Sequence, residues 1–164
     1  MRQHTLPLWA LESQDPVQDF DMIAFTIGYE MAYSNIVNML DLAGVPIHAR
    51  DRHNLKNIVF AGGVCAFNPE PLAEFIDFFS IGEGEDSTVE IVSLYQKAKN
   101  AGWSKEMFLQ EVSKIQGVYV PSFYEHEYHA DGTLKAVIAK QGTPGCITKR
   151  IVENLDTAFF PTHM

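Results

Sequence analysis

The feature that most constrains the fold of this chain is a set of three short apolar runs, each of which leads into glycine. The runs cover residues 20–27, 57–61 and 78–81, and they lead into Gly28, the pair at 62–63 and Gly82. A short, nearly continuous apolar run that is bounded by turn residues is typical of a strand buried on both faces of a parallel sheet. We therefore predict three neighbouring parallel strands.

Segments with helical spacing of apolar residues lie between and after these runs. They cover residues 32–42, 71–76, 87–100 and 104–115, with Ser104 as the expected N-cap of the last one. Alternation of strands and helices favours right-handed crossovers and helices on both faces of the sheet. The predicted fold class is therefore α/β, a three-layer, Rossmann-like open parallel sheet.

The sequence changes character after residue 116. Residues 118–121 read as a short edge-like strand, and Asp131-Gly132 separates two alternating runs, residues 122–128 and 133–138. Asp-Gly between two such runs is a strong signal for a β-hairpin. We therefore expect an α/β domain over residues 1–116, followed over residues 117–164 by a hairpin extension and a linker-like tail.

Composition narrows the range of partners and of cellular settings. The formal net charge is −9, from 12 basic and 21 acidic residues, whereas nucleic acids and anionic membranes attract basic surfaces. The two cysteines, Cys65 and Cys146, are too few and too far apart for a disulfide framework or a zinc site. With no apolar run of about 18 residues, the sequence indicates a cytoplasmic protein that binds neither nucleic acid nor membrane.

The ends of the three predicted strands hold the candidate binding residues. In an open parallel sheet, ligands bind outside the carboxyl ends of the strands, and glycine allows a bulky ligand to approach the backbone closely. Turns between strands and helices also use glycine without any ligand, and carboxylates are favoured near a helix N-terminus by its dipole. Both interpretations stay open for the candidate residues, which are Thr26, Gly62, Gly63, Gly82, Glu83, Gly84 and Glu85.

No catalytic residue and no metal ligand can be assigned from the sequence. The hairpin histidines His126 and His129 are expected on opposite faces of their strand, which argues against a metal site between them. The sequence shows neither a nucleophile–base set nor a phosphate-binding loop of the GxxxxGK[ST] type. Whether the chain is an enzyme is therefore left undecided.

Several of these segments together resemble the N-terminal, B12-binding-like domain of radical S-adenosylmethionine (radical SAM) proteins. The matching segments are residues 20–26, 38–46, 58–63, 67–72 and 81–85, with residues 117–124 and 149–156 resembling the linker to the radical SAM barrel. The resemblance implies a ligand groove at the strand ends, where Thr26, Gly62 and Gly63 would accommodate the nucleotide tail of cobalamin or a related ligand. It also implies a partner, namely the radical SAM barrel of the same parent protein.

Two motifs of the wider family are absent. The CxxxCxxC motif that holds the 4Fe–4S cluster does not occur, so the cluster and S-adenosylmethionine are expected only in the parent protein. The DxHxxG motif of cobalamin binders is also missing, since Asp51-Arg52-His53 lacks the glycine. The chain is thus expected to be an accessory domain from the front of such a protein, binding cobalamin or a related ligand. The alternative is a non-catalytic structural module that packs on the barrel without a ligand of its own.

Overall fold

The structure is a computed structural model, which describes residues 1–4, 6–140 and 142–158. Among these residues, a four-stranded sheet forms the centre of the molecule. The strands lie side by side in chain order: β1 (Met22–Thr26), β2 (Ile58–Gly62), β3 (Phe78–Ser80) and β4 (Val118–Tyr119). The first three are parallel, as predicted, whereas β4 pairs antiparallel with β3. The sheet is therefore mixed, with an antiparallel edge strand at the position that the sequence marks as edge-like.

Among the described residues, three helices and a series of short 3-10 turns cover the sheet. The helices are α1 (Tyr33–Ala43), α2 (Glu85–Asn100) and α3 (Lys105–Val112). Helix α1 ends at Gly44, whose φ of 70° is the left-handed conformation of a common helix C-cap. In α3 the Ser104 side chain accepts a hydrogen bond from the Met107 N–H, as expected of an N-cap. The helix expected at 71–76 is instead a 3-10 turn, Glu70–Leu72.

The core has two halves, one on each face of the sheet. Successive residues of β2 alternate between them, with Val59 and Ala61 facing α1, and Ile58 and Phe60 facing α2 and α3. Because β1, β2 and β3 follow one another in chain order, both of their connections lie on the α1 face. The connection from β3 to the antiparallel β4 contains α2 and α3 and covers the other face. The three-layer α/β arrangement predicted from the sequence is thereby confirmed.

The hairpin consists of β5 (Tyr124–Tyr128) and β6 (Leu134–Ala139), which form a separate antiparallel pair. It is anchored to the α1 side of the core through Tyr124, whose ring centroid lies 4.8 Å from that of Tyr119. The Tyr124 hydroxyl also donates a hydrogen bond to the Pro144 carbonyl at 2.7 Å. Packing of this kind is needed because an isolated two-stranded hairpin has only marginal stability in water. No helix among the described residues is long and apolar enough to cross a membrane.

Candidate interaction site at the carboxyl edge of the sheet

The predicted binding residues lie at one edge of the sheet, as expected for the carboxyl ends of parallel strands. Thr26 and Gly62 are register partners in β1 and β2, and Gly82 follows β3. Glu85 begins α2, so it lies where a helix dipole favours a carboxylate. The structure therefore brings these residues to a common edge, which we call the carboxyl edge.

The glycine pair at the end of β2 is packed against the chain's own backbone. Gly63 has a φ of 91°, and a Cβ at this position would lie 2.8 Å from the Ile27 carbonyl oxygen. A Cβ at Gly62 would lie 3.3 Å from the Ser80 carbonyl oxygen. The Cys65 N–H donates to the Ile27 carbonyl at 3.1 Å, which joins the loop after β2 to the end of β1. Close approach within the domain thus requires glycine at position 63, whereas a Cβ at Gly62 would make one tight contact.

The glycine that follows β3 receives the C-terminal tail. Gly82 has a φ of 112° and forms a parallel β-bridge with Arg150. A Cβ at Gly82 would lie 2.5 Å from the Arg150 nitrogen and still closer to its carbonyl oxygen. At Gly117, with a φ of 88°, a Cβ would lie 2.5 Å from the Ile81 carbonyl oxygen and 3.1 Å from the Arg150 nitrogen. We call this arrangement the tail clamp, defined by Gly82, Gly117 and Arg150.

Hydrogen bonds and ion pairs complete the tail clamp. The Arg150 N–H donates to the Ile81 carbonyl at 2.9 Å, and the Glu83 N–H donates to the Arg150 carbonyl at 3.1 Å. The Glu83 carboxylate accepts a hydrogen bond from the Val152 N–H. The Arg150 guanidinium lies 2.7 Å from the Glu90 carboxylate on α2. The predicted site residues Gly82 and Glu83 therefore bind a segment of this chain.

Beneath the loops that follow β1 and β2 lies a small set of weakly acidic groups. Cys65 is buried, and its pKa is raised, first by burial and then by the nearby Glu30 carboxylate. The pKa of Tyr33 is raised, first by burial and then by Cys65 and Glu30. The buried Tyr33 hydroxyl has no hydrogen-bond partner among the described residues. A thiol with a raised pKa is a poor nucleophile at neutral pH. This set therefore gives no reason to assign catalysis.

A groove lies at the opposite edge of the sheet, where the sequence indicated no site. It encloses about 820 Å³ between the α/β body and the base of the hairpin, and it is lined by His48, Glu70, Glu74, Lys105, His126 and Lys140, among others. His126 Nε2 lies 3.2 Å from a Glu70 oxygen, and the Tyr119 hydroxyl donates to the other Glu70 oxygen at 2.5 Å. Acidic and basic groups are mixed here, so the lining selects no single class of ligand.

A buried charge cluster forms the floor of that groove. Arg52 and Asp77 have side chains that are 1% exposed, and Arg52 Nη2 lies 3.0 Å from Asp77 Oδ2. Lys105 Nζ lies 2.6 Å from Asp77 Oδ1. The remaining Arg52 donors reach the carbonyls of Pro46, Ile47 and Phe75. Sequence reasoning missed this cluster, although an aspartate directly before the buried run at 78–81 was a usable signal.

Comparison with known proteins assigns the family. The family model for the N-terminal region of radical SAM proteins matches residues 1–121. This chain belongs to the radical SAM N-terminal family. An uncharacterized protein of Methanocaldococcus jannaschii is 33% identical over 118 residues, which are 70% of this chain and 24% of that protein. The chain thus spans about a quarter of the length of that relative. No solved structure matches this chain.

The described residues support neither of the cofactors that the resemblance names. A radical SAM cluster needs three thiolates close together, whereas Cys65 is buried and Cys146 is exposed elsewhere. Within residues 1–4, 6–140 and 142–158, no group of three or more histidine, cysteine or carboxylate side chains is placed to hold a metal ion. The candidate glycines for cobalamin, Gly62, Gly63 and Gly82, face backbone of the same chain. We therefore derive no chemistry through either cofactor.

Proposed function

We propose that this radical SAM N-terminal domain is an accessory module that packs on the catalytic domain of its own protein in the cytoplasm and holds no cobalamin. The 4Fe–4S cluster and S-adenosylmethionine belong, in this proposal, to that catalytic domain. The observation that carries the proposal is the tail clamp. Gly82 and Gly117 leave space for the Arg150 backbone. The end of β3, where a ligand was expected, therefore holds the C-terminal tail of this chain.

The path of the tail supports a role in domain arrangement. Residues 150–154 and 157–158 line a cleft of about 450 Å³ together with Asp86 and Gln116. The tail therefore stays at the carboxyl edge, next to the start of α2, as far as the structure describes it. A segment that is fastened in this way can fix the orientation of a neighbouring domain, since it removes the freedom of a loose linker.

Cobalamin binding is the second candidate, because Thr26, Gly62 and Gly63 occupy the positions at which the resemblance implies a groove. Open backbone at these tips would favour it, because a bulky ligand needs that access. Gly28 has open space around it, with no atom within 4 Å of an added Cβ. Gly62 and Gly63 instead approach Ser80 and Ile27, and this is why we prefer the accessory module.

The two candidates predict opposite results in one pair of titrations. The 164-residue chain is titrated by calorimetry with the separately prepared radical SAM catalytic domain of the same protein, and by absorbance with hydroxocobalamin. We expect association with the catalytic domain and no spectral change up to high micromolar hydroxocobalamin. Absence of association would overturn the accessory module. Saturable hydroxocobalamin binding that is lost on Thr26→Trp, a substitution at an exposed candidate position, would establish the second candidate instead.

A further inference from the structure

Four large apolar side chains are exposed in the two loops that leave the carboxyl edge. Tyr29 and Met31 follow β1 and are 59% and 76% exposed, and Val64 and Phe67 follow β2 and are 69% and 60% exposed. Both loops are held in place from below, since the Ile27 N–H donates to the Gly62 carbonyl at 2.8 Å and the Cys65 N–H donates to Ile27. We call these four side chains the tip patch.

The backbone beneath the tip patch has little freedom. Residues 30–32 and 64–67 are 3-10 turns, and a Cβ on Gly63 would meet Ile27 backbone at 2.8 Å. A well-held backbone loses little conformational entropy when a partner covers its exposed apolar side chains, which is the usual property of a prepared interface. Grouped exposed apolar residues on a soluble domain commonly mark an interaction surface.

We infer that the tip patch is the docking surface for the radical SAM catalytic domain of the same protein. This inference rests on the proposed function and names the surface through which that function is exerted. The tail clamp fastens Arg150 and Val152 to the carboxyl edge, and both loops of the tip patch leave the sheet at this same edge. The patch also lies within the family-matched residues 1–121, whereas the exposed apolar side chains of the hairpin lie beyond them.

Charge around the tip patch specifies the chemistry of the partner surface. Glu30 lies within one of the loops and exposed Glu85 begins α2, whereas Glu83 and Asp86 already face Val152 and Arg150 of the tail. An apolar centre with an acidic rim fits a surface that is apolar at its centre and basic at its rim, because complementary charges speed encounter and fix orientation. We therefore expect lysine and arginine around the matching face of the catalytic domain.

Paired variants of the full 164-residue chain test this inference. Met31→Ser with Phe67→Ser removes one anchor from each loop of the tip patch. Leu134→Ser with Val137→Ser is the matched control on the hairpin, where these two side chains are 53% and 49% exposed. We expect the patch variant to weaken binding to the catalytic domain at least tenfold and the control to stay within about twofold. Amide hydrogen exchange should slow in residues 28–31 and 64–67 on binding.

Each other outcome has a definite meaning. If the wild-type chain does not bind the catalytic domain, the proposed function fails and the docking surface fails with it. If the wild type binds and the patch variant binds equally well, only the docking surface is wrong. Loss of binding in the hairpin control alone would move the interface to the hairpin. If sedimentation shows a wild-type dimer that the patch variant abolishes, a second copy of this chain is the occupant and the inference is overturned.

Discussion

Tyr95 illustrates how a single side chain ties a helix to the rest of the molecule. Its hydroxyl donates to the Leu55 carbonyl at 2.7 Å, and its ring meets Phe108 edge-on, with centroids 5.7 Å apart. Burial, followed by the Asp21 carboxylate, raises the pKa of Tyr95 to about 12. Because the unfolded chain ionises near pH 10, folding favours the neutral phenol. This stabilisation is complete below pH 10 and is lost as the pH rises toward 12.

Replacing Tyr95 with phenylalanine should have two measurable effects. At neutral pH we expect a loss of about 1 kcal/mol from the hydrogen bond to Leu55. Between pH 10 and 12 the free energy of unfolding of the wild type should fall by on the order of 2 kcal/mol more than that of Tyr95→Phe. Urea denaturation at several pH values measures both. Tyr128→Phe, at an exposed hairpin position, is the control and should match the wild type. Identical alkaline profiles for wild type and Tyr95→Phe would contradict this account.

The glycines at the strand ends show what a residue type alone leaves undecided. Glycine at positions 62, 63 and 82 is compatible with a close ligand and with close backbone, since both need the space of a missing Cβ. In the structure the neighbour of each is backbone from the same chain, namely Ser80, Ile27 and Arg150. The candidate residues thus share the carboxyl edge, as expected, while their role as ligand contacts stays a prediction.

Among the secondary-structure elements, the short strand β3 is supported by neighbours on both sides. It has three residues and pairs with β2 on one side and β4 on the other. At its carboxyl end the tail clamp adds a bridge between Gly82 and Arg150. The tail therefore extends the pairing of β3 beyond its last residue, and the clamp couples residues that lie 68 positions apart in the sequence.

Gly82→Ala should release the tail. An added Cβ would overlap Arg150 backbone, and a φ of 112° is unfavourable for alanine. We expect faster amide hydrogen exchange at Arg150 and Val152, with the sheet itself intact. Gly102→Ala is the matched control, because Gly102 also has a positive φ, 65°, but has open space around the added Cβ. The tail clamp would be refuted if both variants exchanged at Arg150 like the wild type.

At the scale of the whole molecule, the Arg52–Asp77–Lys105 cluster joins segments that are distant in sequence. Asp77 Oδ2 also accepts a hydrogen bond from the Val59 N–H at 2.8 Å, at the start of β2. Lys105 Nζ donates to the carbonyls of Ala49 and Arg52, each at 2.7 Å. One carboxylate thus connects the 46–52 loop, the amino ends of two strands and the first residue of α3.

Asp77→Asn should therefore destabilise the fold substantially. It leaves the buried Arg52 and Lys105 without a counter-charge, and breaking a buried ion pair in this way costs about 3–5 kcal/mol. Urea denaturation monitored by circular dichroism measures the change. Asp51→Asn, an exposed neighbour of Arg52 in sequence, is the control and should lie within about 0.5 kcal/mol of the wild type. A loss below about 1 kcal/mol for Asp77→Asn would show that the cluster is not a structural support.

Local sequence determined most elements of this protein, because apolar periodicity and capping act over a few residues; the helix expected at 71–76 is an exception. The runs near residues 20–27, 57–61 and 78–81, the Ser104 cap and the Asp131-Gly132 turn all identified real elements. Only the tertiary structure decided which long-range partners meet. Residues far apart in the chain meet in the antiparallel pairing of β4 with β3, in the groove beside His126 and in the bridge between Arg150 and Gly82. Such pairings depend on how the layers pack against each other, and no short stretch of sequence contains that information.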